Sequence, residues 1–169
     1  MTDANETWKQ LELSYEPFRH AVDAFLKCTK DQRVTAIKAN YQANRPLVIL
    51  LLSALVLVED LEELLPFLLS QAESIHGYLW AFYSIILRIP RDWLAAHIEN
   101  AAEPFLRSGD DGTYRRFFEL YLDIDVTLAR RLAERALASS DADTREAGTD
   151  FMEKIANNPQ PGPGQTSVL

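Results

Sequence analysis

Apolar residues recur along the chain at helical spacing, in short stretches separated by polar or proline-containing connections. Together with helix start and stop signals, this pattern predicts helices at about 4–13, 17–29, 31–43, 46–58, 60–72, 75–88, 91–106, 112–122, 126–138 and 143–156. Pro17, Pro46 and Pro90 fall at predicted helix openings, where a missing N–H costs nothing. Asp143 and Glu146 have capping-box spacing at the last opening. The sequence therefore predicts an all-α chain.

The most apolar stretch, residues 47–58, predicts a helix that is buried on most sides. Its twelve residues are too few for a membrane span, which needs about 20. Acidic side chains follow at once, at Glu59 and Asp60, and would have to enter hydrocarbon. A buried parallel strand is the alternative for so short an apolar run, but no other segment supplies a strand to pair with it. We therefore expect no association with a membrane.

Charge narrows the class of partner. With 25 acidic against 17 basic residues, the formal net charge is −8, which disfavours nucleic acid and anionic lipid and favours a basic protein. Cys28 is the only cysteine, so the chain can build neither a disulfide nor a cysteine-based zinc site, as suits the cytoplasm. The polar first 16 residues do not resemble a secretory signal. We expect one domain over 1–157 and a disordered, Pro/Gly-rich tail over 158–169.

A two-helix unit repeats in the second half of the chain. The pentapeptide at 66–70 returns at 104–108, 38 residues later, and residues 77–89 align with 112–124 at an offset of 35. A weaker third copy runs from Leu128 to Ile155. Because one such unit cannot bury its apolar face alone, neighbouring units are expected to stack side by side into an α-solenoid.

The repeated unit resembles the HEAT repeats of armadillo/HEAT-type proteins. The similar features are a recurrent proline in the first helix, at Pro66 and Pro104, and an Asp-containing loop followed by arginine, at Asp141 and Arg145. The resemblance implies a right-handed α-α superhelix, a HEAT-like solenoid of about nine to ten short antiparallel helices. It is clearest over 61–157, which leaves residues 1–60 as an N-terminal helical cap.

The copies are not equally similar to that family. Residues 110–111 with 115–116 fit the Asp and Arg positions of the middle copy, whereas the first copy has His76 and Gly77 there. The first 45 residues match only loosely. HEAT-like proteins have many unrelated functions, so the resemblance implies the fold and leaves the activity open.

No motif with specific chemistry emerges from the residues. The three histidines, His20, His76 and His97, are 56 and 21 residues apart and form no helical metal pair. Paired aspartates at 110–111, 123–125 and 141–143 lie at helix boundaries, where capping of free backbone N–H groups is the favoured role. Phosphate-binding and nucleophile signatures are missing. We therefore expect no cofactor, no metal and no catalytic residue.

Aromatic residues concentrate in the repeats. Because aromatic and arginine side chains anchor protein interfaces, the second helices of the repeats are the candidate binding surface. Because Trp80 and Tyr83 alternate with the core positions, as do Tyr114 and Tyr121, some of them are expected to face outward. The predicted binding surface contains Trp80, Tyr83, Tyr114, Arg115 and Glu119, beside an acidic rim formed by five acidic residues within 46–87. Packing between repeats is the alternative role for each aromatic.

These features favour a non-catalytic interaction module or adaptor that inhibits or scaffolds a basic partner protein. The alternative is a small helical enzyme, or a lyase-type chaperone, that binds a ligand in a groove between helices. A deep cleft containing His76, His97 or a buried carboxylate with a shifted pKa would favour the alternative.

Overall fold

The computed structural model describes residues 3–73 and 77–157, and every regular element within these ranges is helical. The all-α prediction is therefore confirmed there, whereas His76 and the predicted tail at 158–169 lie outside the described residues. The α-helices are α1 (Ala4–Leu26), α2 (Lys30–Asn40), α3 (Arg45–Leu50), α4 (Val58–Glu73), α5 (Leu79–Ile86), α6 (Arg91–Ser108), α7 (Asp111–Ile124), α8 (Val126–Leu137) and α9 (Ala142–Asn157).

Chain contacts divide the protein into an N-terminal unit, residues 1–64, and a C-terminal unit, residues 65–169, with the boundary inside α4. The predicted repeats correspond to α4 with α5, α6 with α7, and α8 with α9. Within the described residues, no helix is both long enough and apolar enough to cross a bilayer.

Two of the predicted helix-start signals do not act as expected. Pro17 does not open a helix but lies inside the continuous α1; the carbonyl left free by its missing N–H belongs to Leu13, which is exposed and can bond to water. At the start of α9, the N–H of Thr144 donates to the side chain of Asp141 at 2.8 Å. The helix is therefore capped by Asp141 and not by a box beginning at Asp143.

The stretch from Arg45 to Val56 is buried on one face only. It begins as α3 and continues as a single π-helical turn, Leu51–Leu55. Val48, Leu52 and Val56, four residues apart, are buried, whereas Leu47 is exposed. The predicted burial on most sides is thus wrong, because the N-terminal unit has too few other helices to cover both faces.

A buried ion pair ties α2 to the start of α4. The guanidinium of Arg33 donates from Nε and Nη2 to the two carboxylate oxygens of Asp60, each at 2.7 Å, and the Asp60 side chain is fully buried. The other N–H groups of the Arg33 guanidinium donate to the side chain of Glu59 and to the carbonyls of Leu26 and Cys28. All five donors of the arginine therefore have acceptors, the condition under which a buried charge is tolerated.

That cluster corrects the predicted acidic rim. Asp60 is inside the N-terminal unit, Glu59 shares the guanidinium of Arg33 at 3.2 Å, and Glu63 pairs with Lys30 at 3.2 Å. Three of the acidic side chains thus share two basic residues of α2, Lys30 and Arg33. These basic residues precede the acidic run in sequence and pair with it only after folding.

The C-terminal unit is built around aromatic side chains from the second helices. Phe82, Phe117 and Phe118 are buried, and the rings of Phe118 and Phe151 stack in parallel with centroids 4.1 Å apart. Gly148 of α9 lies so close to α8 that an added Cβ would approach the backbone nitrogen of Leu137 to 2.8 Å. Close packing of α8 on α9 therefore requires glycine there.

Candidate partner-binding surface

Trp80 is the most exposed aromatic residue of the predicted surface. It lies in the first turn of α5 with 70% of its area accessible. Its ring meets the ring of Tyr83 edge to face, with centroids 5.7 Å apart. A large apolar ring held at the surface by a second aromatic ring is the kind of side chain that anchors protein interfaces.

Tyr83 and Tyr114 are buried, which corrects the expectation that both face outward. The hydroxyl of Tyr83 donates to the backbone carbonyl of Arg116 on α7, and burial raises the pKa of the phenol. Tyr114 accepts a hydrogen bond at 3.1 Å from Nε of Arg135 on α8. Each tyrosine thus connects its own helix to a neighbour, so its side chain belongs to the packing between helices.

Tyr121 is buried as well, and burial raises the pKa of its phenol. Alternation with core positions failed as a criterion for these tyrosines because the second helices are covered by neighbouring helices over more than one face. Phe82, Ile85, Ile86 and Ile89, expected in the core from their spacing, are buried as predicted.

Arg115 and Glu119 belong to an exposed set of ion pairs between α7 and α9, which we call the second-helix ladder. Arg115 donates to Asp150 at 2.8 Å, and Lys154 donates to Glu119 at 2.7 Å. The hydrogen bond with Asp150 raises the pKa of Arg115. Lys154 also lies 6.0 Å from the centre of the Phe118 ring. The ladder is therefore an ordered charged strip above the aromatic core.

A corresponding set of ion pairs joins the first helices, α6 and α8. The guanidinium of Arg131 donates to both carboxylate oxygens of Glu99 at 2.9 Å, and Arg135 donates to Glu103. The hydrogen bond from Arg135 holds the pKa of Glu103 below its usual range. In both sets, residues one turn apart on one helix meet residues one turn apart on the other, in the same order. The paired helices therefore run parallel.

Sequence reasoning missed Asp150 and Lys154, although a signal was present. Both are separated from their partners by 35 residues, which is the offset of the predicted repeat. Opposite charges 35 residues apart in the sequence are the signal that predicts these pairs. Their side chains extend the predicted surface onto α9.

The aspartate pairs serve as helix caps. Asp110 accepts from the N–H of Thr113 at 2.8 Å, and this bond lowers the pKa of Asp110. Asp125 accepts from Thr127 at 2.6 Å, and Asp141 caps α9 in the same way. One member of each predicted pair thus satisfies the free backbone donors of the helix that follows it.

The remaining candidates for chemistry are placed as follows. His97 is exposed, stacks on Trp93 at 4.0 Å, and has Nδ1 2.7 Å from the Trp93 carbonyl. Asp60, the buried carboxylate, is held by Arg33 as described above. No group of three or more His, Cys, Asp or Glu residues in the described ranges could hold a metal ion.

No protein-family model, curated protein sequence or solved structure matches the chain.

Proposed function

We propose that this protein is a non-catalytic interaction module, an adaptor or inhibitor that binds a partner protein along α5, α7 and α9. The observation that carries the proposal is Trp80, an exposed indole on the same unit as the charged strip of the second-helix ladder. Large aromatic side chains with a charged surround are typical of the centre and rim of protein interfaces.

The arrangement proposed for these helices is a short HEAT-like solenoid. Ion pairs between equivalent helices of consecutive repeats support it, because α6 pairs with α8 at an offset of 32 residues and α7 with α9 at an offset of 35. Stacking of repeats in one direction produces such parallel equivalents. The hydrogen bond from Tyr83 to the Arg116 carbonyl extends the same series of second helices to α5.

Charge indicates the kind of partner. Helices α7 and α9 carry seven acidic and four basic residues, and the whole chain has a formal charge of −8. A partner with a basic face would be steered toward this surface, whereas nucleic acid would be repelled. We place the encounter in the cytoplasm, where the exposed thiol of Cys28 remains reduced.

Affinity capture with matched variants tests the proposal. Trp80→Ala should reduce the recovery of the specific partner from a native lysate by about 10-fold or more, the cost of truncating an interface anchor. Glu119→Lys should weaken capture as well. Glu134→Lys, an exposed change on α8 with the same effect on net charge, is the control and should retain the partner.

Two results would contradict this assignment. Equal loss in Glu119→Lys and Glu134→Lys would attribute capture to net charge, and unchanged capture by Trp80→Ala would remove the anchor. Thermal unfolding of each variant should stay close to that of the original protein, since Trp80 and Glu134 are exposed and Glu119 is partly exposed. A large fall for Trp80→Ala would place this residue in the packing and not in the interface.

A further inference from the structure

Helix α1 exposes a continuous apolar stripe that the C-terminal surface does not explain. Trp8, Leu11, Tyr15 and Phe18 are 62%, 59%, 59% and 39% accessible. We call these four residues the α1 seam. Residues 3–21 of the chain are exposed throughout, and only the last turns of α1, from Val22, pack on the N-terminal unit. Most of the stability of a helix in a protein comes from packing of its apolar face, so the seam calls for a covering surface.

The seam follows the heptad spacing of a coiled coil. Its members are separated by three, four and three residues, and the same alternation continues to Val22 and Phe25. These residues occupy the a and d positions of about three heptads, the narrow stripe that packs one helix against another. Pro17 falls on the outer face of α1, so neither its ring nor its missing N–H enters the seam.

We propose that two copies of this chain associate through α1, side by side and parallel, with the α1 seam of one packed against the α1 seam of the other. In this register each seam residue faces its own counterpart, as a and d positions do in a parallel pair. The protein is then a dimer formed by its N-terminal units, independent of the partner surface proposed for α5, α7 and α9.

Charges beside the seam favour this orientation. In the parallel register, the flanking positions bring Thr7 against Glu12 of the second copy and Ser14 against Arg19 of the second copy, so no like charges meet. An antiparallel pair centred on the seam would place Glu12 against Glu12 of the second copy, which is unfavourable. The sequence beside the seam thus disfavours the competing arrangement.

Charge also disfavours a lipid surface as the occupant. Helix α1 carries four acidic and two basic residues, whereas amphipathic helices that lie on anionic membranes carry mainly Lys and Arg on the polar face. Glu12 lies next to the seam and accepts a hydrogen bond from the Trp8 indole at 2.7 Å. If the seam were inserted into a membrane, this hydrogen bond would hold the Glu12 carboxylate at the lipid surface, which is unfavourable.

The accessible area sets the strength of the association. The four seam residues together expose roughly 450 Å² per copy, taking about 150–250 Å² for a whole aromatic side chain. Standard interfaces bury about 800 Å² per partner, so the dimer belongs to the weak, reversible class. Its population should depend on protein concentration in the micromolar range.

Sedimentation equilibrium between about 5 and 500 µM tests the proposal with a matched pair of variants. The mass of the original protein should rise from the monomer value of 19.2 kDa toward twice that value. Leu11→Glu should raise the dissociation constant at least about 10-fold. Leu13→Glu is the control: Leu13 is 70% accessible on the face opposite the seam, and the dissociation constant should stay within about 2-fold.

Crosslinking tests the orientation in the same protein. In a Cys28→Ser background, Leu11→Cys should form a symmetric disulfide-linked dimer under glutathione disulfide, whereas Leu13→Cys should not. A protein that remains monomeric over the whole concentration range would overturn the proposal, as would equal weakening by both glutamate variants. Sedimentation of the monomeric protein with phosphatidylcholine vesicles would assign the seam to lipid and would overturn it too.

Discussion

Helices α1 and α7 illustrate how one kind of sequence pattern leads to two environments. Both carry an apolar stripe at helical spacing. In α7, eight side chains are buried, among them Phe117, Phe118 and Tyr121, whereas α1 buries only Val22. The difference comes from neighbours: α7 packs against α6, α8 and α9. Amphipathicity therefore predicts the helix and its apolar face. It does not predict whether other helices of the same chain bury that face.

The two units also differ in what holds them together. The C-terminal unit has a stacked aromatic core, centred on Phe118 and Phe151, and its ion pairs lie at the surface, where each contributes about 0.2–1 kcal/mol. The N-terminal unit has a smaller apolar core, and a buried arginine and aspartate connect α2 to α4. Apolar burial dominates in one unit, and a satisfied polar cluster supplements it in the other.

The largest expected effect on stability comes from truncating a buried aromatic side chain, in comparison with an exposed one. Phe118→Ala should lower the free energy of unfolding of the C-terminal unit by about 3–5 kcal/mol, because it removes a fully buried ring and leaves a cavity. Trp8→Ala should change stability by less than about 0.5 kcal/mol in dilute, monomeric protein. Urea unfolding followed by circular dichroism measures both. A large loss in Trp8→Ala would mean that α1 is packed within the monomer.

A smaller effect is expected from breaking the polar cluster. Asp60→Asn keeps the shape of the side chain but leaves the buried guanidinium of Arg33 without its buried charged acceptor, so the melting temperature should fall by about 5–10 °C. Glu63→Gln alters the exposed pair with Lys30 and should lower it by no more than about 2 °C. Scanning calorimetry measures both melting temperatures. Equal shifts in the two variants would show that the buried pair contributes no more to stability than the exposed pair.

The smallest expected effect concerns the cap of α7 and depends on pH. Backbone hydrogen bonding lowers the pKa of Asp110 in the folded protein. The stabilisation that the charged cap provides is therefore fully present above the unfolded pKa of about 3.9. It is lost as the pH falls through the folded pKa. Asp110→Asn should therefore cost less than about 1 kcal/mol at pH 7, and this cost should shrink as the pH falls through the folded pKa of Asp110. Denaturant unfolding across this range gives the difference.

Asp110→Ser serves as the second variant for that experiment. Serine retains an oxygen acceptor for the N–H of Thr113 but cannot ionise, so its difference from the original protein should shrink with falling pH in the same way. A difference that grows as the solution becomes more acidic would contradict the assignment of Asp110 as a charged cap.

Helix positions in the C-terminal unit were accessible from sequence because local signals agree with tertiary packing there. Asp110, Asp125 and Asp141 mark helix starts. The apolar spacing from Phe82 to Ile89 matches the side chains that are buried. Pro17 shows where such signals fail: a proline inside an exposed helix loses one hydrogen bond that water replaces. A local signal such as proline therefore marks a helix boundary only where the lost backbone hydrogen bond is not replaced by another partner.

The candidate surface was predictable only in part. Trp80 is exposed, as an interface requires, and Arg115 and Glu119 are partly exposed, whereas Tyr83 and Tyr114 are buried. Helical spacing assigns residues to faces of one helix, but a second helix in this chain has neighbours on several sides. Which faces are covered depends on those neighbours, and their positions are set by contacts between residues about 35 apart.

By itself, the amino-acid sequence determined that this protein is helical and where most helices begin and end, and it predicted a recurring two-helix unit in the second half. These properties rest on local interactions, since caps, prolines and apolar spacing act within one or two turns of the chain. Only the tertiary structure decided that Asp60 is neutralised inside the protein, that Tyr83 and Tyr114 are buried, and that α1 is left uncovered. Those outcomes depend on contacts between residues that are far apart in the sequence, because such contacts decide which side chains are buried and which charges form pairs.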